Sequence, residues 1–229
     1  MSTGLTIAFT LPLLDGLCVG VELPDEIPES TSGIHPEEWR LSVGYGDLRR
    51  RTWLGGRVAL REALRRIGGP SDLPLLPNAR GAPILPRGFV GSVSHKARLA
   101  VALVTPDRGA RIGVDVEELE TRPRLHLAGR ILTPREREAL EQLPPNEQWH
   151  ELLLRFSAKE ALYKAIDPYV QRYVGFLEVA IERRTEAQLG VTELAEADLQ
   201  RLTAHGEWRE LQGHLLTAFC ASEQPPHAT

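Results

Sequence analysis

The feature of this sequence that most constrains its fold is an order of strands and helices that occurs once in each half. In the first half, strand-like residues at 5–23 precede a helical pattern from about His35 to Ile67. In the second half, a strand at 111–117 precedes helical patterns at 133–143 and 151–166. Because strand-like residues also follow the helical patterns in both halves, the sequence predicts an α+β fold of two similar lobes.

We place the boundary between the lobes near Asp107. The expected units are an N-terminal α+β lobe at 1–108, a C-terminal α+β lobe at 109–221 and a disordered tail at 222–229. Residues 91–104 and 111–117 are expected to pair as an antiparallel hairpin.

The composition excludes several classes of function. A net charge of −4 provides no global basic field, so we expect no nucleic-acid partner. Cys18 and Cys220 lie near opposite ends without a Cys/His cluster, which argues against a zinc site. The longest apolar run, at 99–104, is too short to span a bilayer, and we find no signal peptide. We therefore expect a cytoplasmic protein without a membrane partner.

The segment GVDVE places two carboxylates on one face of a predicted strand. Side chains alternate along a strand, so Val114 and Val116 point into a core, whereas Gly113, Asp115 and Glu117 share the opposite face. Magnesium prefers oxygen ligands and usually takes one or two protein carboxylates. This pair could hold such a cation, although a solvated strand face is the commoner explanation of an isolated acidic pair.

A predicted apolar helix carries three charged residues. Glu160 and Lys164 lie about one turn apart, whereas Lys159 falls on a different side. A solvated Glu–Lys pair at this spacing stabilises a helix by roughly 0.2–0.5 kcal/mol and is the simpler explanation for the helix alone. The polar stripe is narrow, however, and buried charges require a partner or a metal. Glu160 beside Asp115 and Glu117 would complete a three-carboxylate metal site, and the lysines would suit a polyphosphate.

Two further segments carry groups suited to an anion. VGSVSHK places small residues before Ser94 and His95, which allows a close approach of the backbone to a ligand. GRVALRE places Arg57 and Arg61 on one helix face, where they could bind phosphate. Taken alone, a strand start with a satisfied histidine and a solvated arginine stripe explain these segments as well.

Taken together, the motifs resemble those of the 4′-phosphopantetheinyl transferase superfamily, in particular its two-lobed surfactin- and enterobactin-type branch. IGVDVE at 112–117 is similar to the family's G-[V/I]-D-x-E motif. FSAKEALYK at 156–164 is similar to its [F/W]-[S/C/T]-x-K-E-[A/S]-x-x-K motif. GSVSH at 91–95, RGAP at 80–83 and GRVALR at 56–61 resemble weaker upstream motifs, and all five occur in the family's order.

The resemblance implies a fold and an activity. The family's fold is a pseudo-dimer of two α+β lobes with the active site in the cleft between them. Its members transfer the phosphopantetheine arm of coenzyme A to a serine of an apo acyl or peptidyl carrier protein and release 3′,5′-ADP. We therefore expect Mg²⁺ or Mn²⁺ as cofactor, coenzyme A as co-substrate and a carrier protein as partner. A chain that contains both lobes is expected to act as a monomer.

The resemblance also assigns roles to residues that match its motifs. Asp115, Glu117 and Glu160 correspond to the metal ligands. Glu160 also corresponds to the base that takes the serine proton, directly or through water. Lys164 corresponds to the lysine that contacts the phosphates and stabilises the charge that develops in transfer. The implied catalytic residues are therefore Glu160, Lys164 and Asp115.

The implied coenzyme-binding residues come from both halves of the chain. Ser94 and His95 would contact the phosphates, and Arg57 would help to hold the 3′-phosphoadenosine end. The loop at 80–83 would contribute to the same end, and Lys159 would add positive charge less directly. The full implied set is Arg57, Arg61, Arg80, Gly81, Pro83, Ser94, His95, Lys159 and Lys164.

Two other functions remain open at this stage. A different magnesium-dependent phosphoryl transferase or phosphoester hydrolase could use the same acids, and a non-catalytic carrier-binding module would use the charged residues structurally. Residues 118–135 interleave arginines with apolar residues, which fits either the docking of an acidic carrier helix or an ordinary loop and helix start. The sequence does not identify the carrier, although the two-lobed branch favours polyketide or nonribosomal peptide synthesis.

Overall fold

The computed structural model describes residues 5–26, 33–120 and 122–224. The chain divides into two compact units, Met1–Arg108 and Gly109–Thr229. In its described residues, each unit has one antiparallel sheet with helices packed against it, so the predicted α+β class is confirmed.

The first unit is built on a sheet of four strands in its described part. The strands are β1 (Thr6–Leu13), β2 (Gly16–Glu22), β3 (Phe89–His95) and β4 (Leu99–Pro106), in the order β1-β2-β4-β3. The helices are α1 (Pro36–Ser42) and α2 (Asp47–Arg66). Because β4 lies inside the sheet and under α2, nearly all of it is buried, which accounts for its continuous apolar run.

The second unit contains five strands in one described sheet, in the order β5-β9-β8-β7-β6. The strands are β5 (Arg111–Glu118), β6 (Val179–Arg183), β7 (Gln188–Leu194), β8 (Leu202–Leu211) and β9 (His214–Glu223). The helices are α3 (Ala128–Ile131), α4 (Pro134–Glu141), α5 (Pro145–Val170) and α6 (Ala197–Gln200). Single 3-10 turns occur at Leu125–Leu127 and Phe176–Glu178.

α5 is the central helix of the second unit. It packs against β5 and β9, and residues such as Leu154 and Leu162 join the main core there. Leu152 and Phe156 pack into a second apolar cluster with Ile131. Because two separate clusters cover it, α5 is apolar on most of its faces rather than on one stripe.

Two sequence-based expectations about local structure are wrong. Residues 91–104 contain two strands, β3 and β4, which pair with each other, whereas β5 pairs with β9 and not with β4. The expected tail begins too early, because Ser222 and Glu223 still pair with β8. Gln224 is described as well, and residues 225–229 of the expected tail lie outside the described residues.

The described helices include none with the length and hydropathy that a membrane span requires.

Candidate active site

Gly113 sets the distance between β5 and α5. A Cβ atom at this position would lie 1.9 Å from the backbone oxygen of Ala161, so the helix backbone rests directly on the strand. Alternation along β5 places Asp115 and Glu117 on the same face as Gly113. Both carboxylate residues are buried, at 5% and 7% exposure. The alternative explanation, an exposed and solvated acidic face, therefore does not hold.

Asp115 is held by two side chains of α5. Its Oδ1 accepts a hydrogen bond from Lys164 Nζ at 2.9 Å, and its Oδ2 accepts one from Ser157 Oγ at 2.9 Å. Lys164 Nζ also donates to the Val114 carbonyl oxygen at 2.8 Å. The two motifs most specific to the resemblance therefore meet through the Asp115–Lys164 ion pair.

The structure does not assemble the expected three-carboxylate cluster. Over residues 5–26, 33–120 and 122–224, no three His, Cys, Asp or Glu side chains are grouped in a way that could hold a metal ion. Asp115 instead has a donor on each of its oxygens, and Glu160 lies one turn before Lys164 on α5, partly buried. The donor type of Asp115 and Glu117 still fits magnesium, which takes one or two protein carboxylates and completes its shell with water and phosphate oxygens.

Lys159 occupies a place different from the expected one. It is fully buried, and its ammonium donates to Glu136 Oε2 at 2.7 Å and to the carbonyl oxygens of Ile131 and Phe176, each at 2.8 Å. Burial lowers the pKa of Lys159, and the Glu136 carboxylate opposes that shift. Because three protein acceptors already surround the ammonium, the expectation that Lys159 helps to bind the coenzyme is wrong.

Arg61 also serves the fold rather than a ligand. Its guanidinium forms an ion pair with the fully buried Glu38 at 2.6 Å and donates to the carbonyl oxygens of Gly33, Ser71 and Leu73. These contacts tie the loop after α2 to α1 and α2. The expected coenzyme contact of Arg61 is therefore replaced by a structural role.

Arg57 is a buried cation of the first unit whose hydrogen-bonding capacity is not fully used by the described residues. It is 3% exposed, its guanidinium lies 4.4 Å from the centre of the Trp53 ring, and its Nε has no hydrogen-bond partner among the described residues. Burial lowers the pKa of Arg57 to about 10; the Glu38 carboxylate opposes this shift, and the nearby Arg49 and Arg61 add to it. An anionic ligand would compensate such a cation.

Arg49 is a further cation that the sequence reasoning missed. Its Nη1 lies 3.1 Å from His95 Nε2, and its guanidinium lies 5.8 Å from the centre of the Tyr45 ring. Tyr45 in turn contacts Trp53 edge to face at 5.7 Å. The four-residue spacing of positions 49, 53 and 57 on α2 was the signal that would have found it.

The remaining expected contacts are placed as follows. Ser94 is buried near the end of β3, directly before the partly buried His95. Arg80, Gly81 and Pro83 lie in a turn that is organised by the Asn78 side chain, whose Oδ1 accepts from the Arg80 and Ala82 backbone N–H groups at 2.9 and 3.0 Å. Gly81 has φ of 85°, which favours glycine at that position.

Sequence comparisons identify the family to which this chain is related. Residues 111–221 match the 4′-phosphopantetheinyl transferase superfamily profile, and residues 46–105 match the 4′-phosphopantetheinyl transferase N-terminal domain. The chain is 39% identical over 168 residues to 4′-phosphopantetheinyl transferase Npt of Nocardia iowensis, which covers 72% of this chain and 73% of that protein.

Two other relatives match over most of their length. Enterobactin synthase component D of Salmonella typhimurium is 31% identical, over 80% of this chain and 76% of its own. 4′-phosphopantetheinyl transferase PptT of Mycobacterium tuberculosis is 32% identical, over 82% and 81% respectively. The predicted family is thereby confirmed, together with the prediction of an enzyme. This chain belongs to the 4′-phosphopantetheinyl transferase superfamily.

Proposed function

We propose that this chain transfers the 4′-phosphopantetheine moiety of coenzyme A to a serine of an apo acyl or peptidyl carrier protein and releases 3′,5′-ADP. The observation that carries the proposal is the ion pair between Lys164 and Asp115, which joins the two most specific motifs in a chain of this family.

The reaction exchanges the phosphoanhydride bond of the coenzyme A pyrophosphate for a phosphoester bond to the carrier serine. The serine oxygen attacks the phosphorus nearer to the pantetheine, the new O–P bond forms, and the bond to the departing 3′,5′-ADP breaks. We assign the serine proton to Glu160, because a carboxylate on the same helix face as Lys164 remains a modest base. Lys164 stabilises the charge that develops on the phosphate oxygens.

We assign the metal to the carboxylate face of β5. Asp115 and Glu117 would bind Mg²⁺, or Mn²⁺ in its place, together with water and pyrophosphate oxygens. When bound, the ion would neutralise pyrophosphate charge and stabilise the leaving oxygen. Because magnesium uses few protein ligands and several substrate oxygens, this assignment does not require a preformed cluster of three carboxylates.

We assign the 3′-phosphoadenosine end of coenzyme A to the first unit. The supporting observation is the cluster of Arg49, Tyr45, Trp53, Arg57 and His95, which combines two guanidinium groups with aromatic rings. Guanidinium groups bind phosphate in a planar fork, and an aromatic ring offers a surface for a base. Ser94 and the turn at 80–83 are assigned to the same ligand.

We assign the carrier to the segment 118–135 of the second unit. Its arginines, among them Arg122, Arg124 and Arg130, are exposed, and Leu125 is 38% exposed. Exposed cations around an apolar residue suit an acidic amphipathic helix. The similarity to an enterobactin synthase component supports carriers of polyketide or nonribosomal peptide synthesis.

Mass spectrometry of intact carriers tests the proposed function. A panel of apo acyl and peptidyl carriers is incubated with the chain, coenzyme A and Mg²⁺. We expect at least one carrier to gain the phosphopantetheine mass on its serine. Unchanged masses with coenzyme A consumed would indicate a hydrolase, and unchanged masses with carrier bound but coenzyme A intact would indicate a non-catalytic binding module.

A further inference from the structure

Asp115 is connected through the Ser157 hydroxyl to the hydroxyl group of Thr217, which has no assigned role. Ser157 Oγ, which donates to Asp115, also lies 2.8 Å from Thr217 Oγ1. Ser157 and Thr217 are both fully buried, and Asp115 is 5% exposed. The three side chains therefore form one hydrogen-bonded chain inside the second unit.

The direction of this chain follows from counting protons. An ionised carboxylate only accepts hydrogen bonds, and a hydroxyl group has one proton to donate. Ser157 uses its hydroxyl proton in the hydrogen bond that it donates to Asp115. The Thr217 hydroxyl must therefore donate to Ser157, and it fixes the rotation of the Ser157 hydroxyl toward the carboxylate.

Three elements of the fold contribute one member each. Asp115 lies on β5 and is the direct register partner of Thr217 on β9, and Ser157 comes from α5. Directly paired residues of neighbouring antiparallel strands lie on the same face of the sheet. The close contact of α5 with Gly113, two residues before Asp115 on β5, brings the Ser157 hydroxyl to both side chains.

We propose that Thr217 is a positioning residue for the transfer reaction, which acts on Asp115 through Ser157. The relay holds Oδ2 of Asp115 in place while Oδ1 accepts from Lys164. The carboxylate would thereby be oriented for the metal ion of the proposed function, on which this inference rests. Without the hydrogen bond from Thr217, the Ser157 hydroxyl can rotate away, and the carboxylate loses a donor that orients it.

The test compares two Thr217 variants with a matched control. Thr217→Val removes the donor at nearly constant shape, and Thr217→Ser restores it. Thr203→Val makes the same change at an exposed position on β8 and serves as the control. Mn²⁺ is titrated calorimetrically into each folded protein saturated with coenzyme A, and kcat and KM for coenzyme A are measured with a carrier that the wild type modifies.

We expect Thr217→Val to weaken Mn²⁺ binding by about threefold to tenfold, the effect of one lost hydrogen bond. The kcat should fall by a similar factor, while KM for coenzyme A changes less, and Thr217→Ser should recover both. Wild-type Mn²⁺ affinity in Thr217→Val, or a Thr217→Ser protein as impaired as Thr217→Val, would overturn the proposal.

A double-mutant cycle separates action through Ser157 from an independent effect. If Thr217 acts only through Ser157, adding Thr217→Val to Ser157→Ala costs no further Mn²⁺ affinity. Additive losses would contradict the relay. Thr217→Ala is prepared as a second donor-free variant, and if neither it nor Thr217→Val folds, the hydroxyl serves the fold and the proposal fails.

The two proposals fail in different ways. A wild-type chain that modifies no carrier would refute the proposed function, whereas the Mn²⁺ affinities of the variants would still decide whether Thr217 positions Asp115.

Discussion

The Lys159 ammonium lies 2.7 Å from the Glu136 carboxylate, with both side chains at 3% exposure or less. Glu136 also accepts hydrogen bonds from the Thr133 and Ile181 backbone N–H groups, each at 2.8 Å. Through this pair, α5 is linked to the start of α4 and to β6. Lys159, the residue before Glu160, thus anchors α5, the helix that carries Glu160, to its neighbours.

Replacing Lys159 should therefore lower the free energy of unfolding rather than the affinity for coenzyme A. Lys159→Met leaves the Glu136 carboxylate buried without its main counter-ion, and we expect a loss of about 3–5 kcal/mol in the free energy of unfolding. Urea unfolding followed by circular dichroism measures this loss. The exposed Arg135→Met in α4 is the control and should change stability by about 0.5 kcal/mol at most. A Lys159→Met protein with wild-type stability but weakened coenzyme A binding would contradict the structural role.

Gly113 should tolerate no side chain. In Gly113→Ala the new methyl group would meet the Ala161 carbonyl oxygen, so β5 or α5 must move, at a cost of about 1–3 kcal/mol or more. Because Asp115 and Lys164 lie on these two elements, transfer should fall more steeply than stability alone explains. Gly129→Ala, whose nearest neighbour would be 3.9 Å away, is the matched control for the melting temperature. Unchanged melting temperature and turnover in Gly113→Ala would show that the strand and helix are not in close contact.

Arg57 should contribute to coenzyme affinity through the 3′-phosphate. We expect Arg57→Met to weaken coenzyme A binding about tenfold to a hundredfold, the range for a lost charge-assisted hydrogen bond. Binding of dephospho-coenzyme A, which lacks that phosphate, should change much less. Calorimetry with both ligands makes the comparison, and the exposed Arg65→Met is the control. Equal losses for the two ligands would place Arg57 away from the 3′-phosphate.

Glu62 should make the first unit sensitive to acid. The hydrogen bond from Arg65, with a second from Arg66, lowers the pKa of Glu62 from 4.5 to about 2. Because the folded-state pKa lies below the unfolded-state value, the stabilisation is complete above about pH 4.5 and is lost as the pH falls through about 2. Since both arginines are exposed, we expect it to amount to roughly 1 kcal/mol.

The free energies of unfolding of wild type and Glu62→Gln at pH 6 and at pH 2.5 measure this contribution. The difference between the two proteins should shrink at the lower pH. Glu141→Gln provides the comparison, because the Glu141 side chain is 67% exposed and lies 4.0 Å from Arg137. A difference that stays constant with pH would mean that the Glu62 pKa is not lowered in the folded state.

Local patterns predicted the parts of the site that lie within one element. The alternation of GVDVE placed Asp115 and Glu117 on one face of a strand, and helical spacing placed Glu160 and Lys164 on one side of α5. The helical pattern at 133–143 corresponds to α4, and Thr133 is its N-cap, because the Thr133 hydroxyl accepts a hydrogen bond from the Glu136 N–H. These features depend on the geometry of the chain itself, which short-range sequence determines.

Features that depend on contacts between distant parts of the chain could not be predicted from local sequence patterns. Lys159 and Glu136 lie on different helices, and neither spacing nor composition indicates that they meet. Thr217 lies far along the chain from Asp115 and is brought to it only by the pairing of β5 with β9. The hairpin expected between β4 and β5 was wrong for the same reason, because a short turn is compatible with strands that pair elsewhere.

The most direct test of the central claim is the ratio of 3′,5′-ADP released to carrier modified. With coenzyme A, Mg²⁺ and a responsive apo carrier, we predict one 3′,5′-ADP for each phosphopantetheinylated carrier. We predict none when the carrier serine is replaced by alanine or when the enzyme carries Glu160→Gln. Release of 3′,5′-ADP without a carrier, or full transfer by folded Glu160→Gln, would contradict the account.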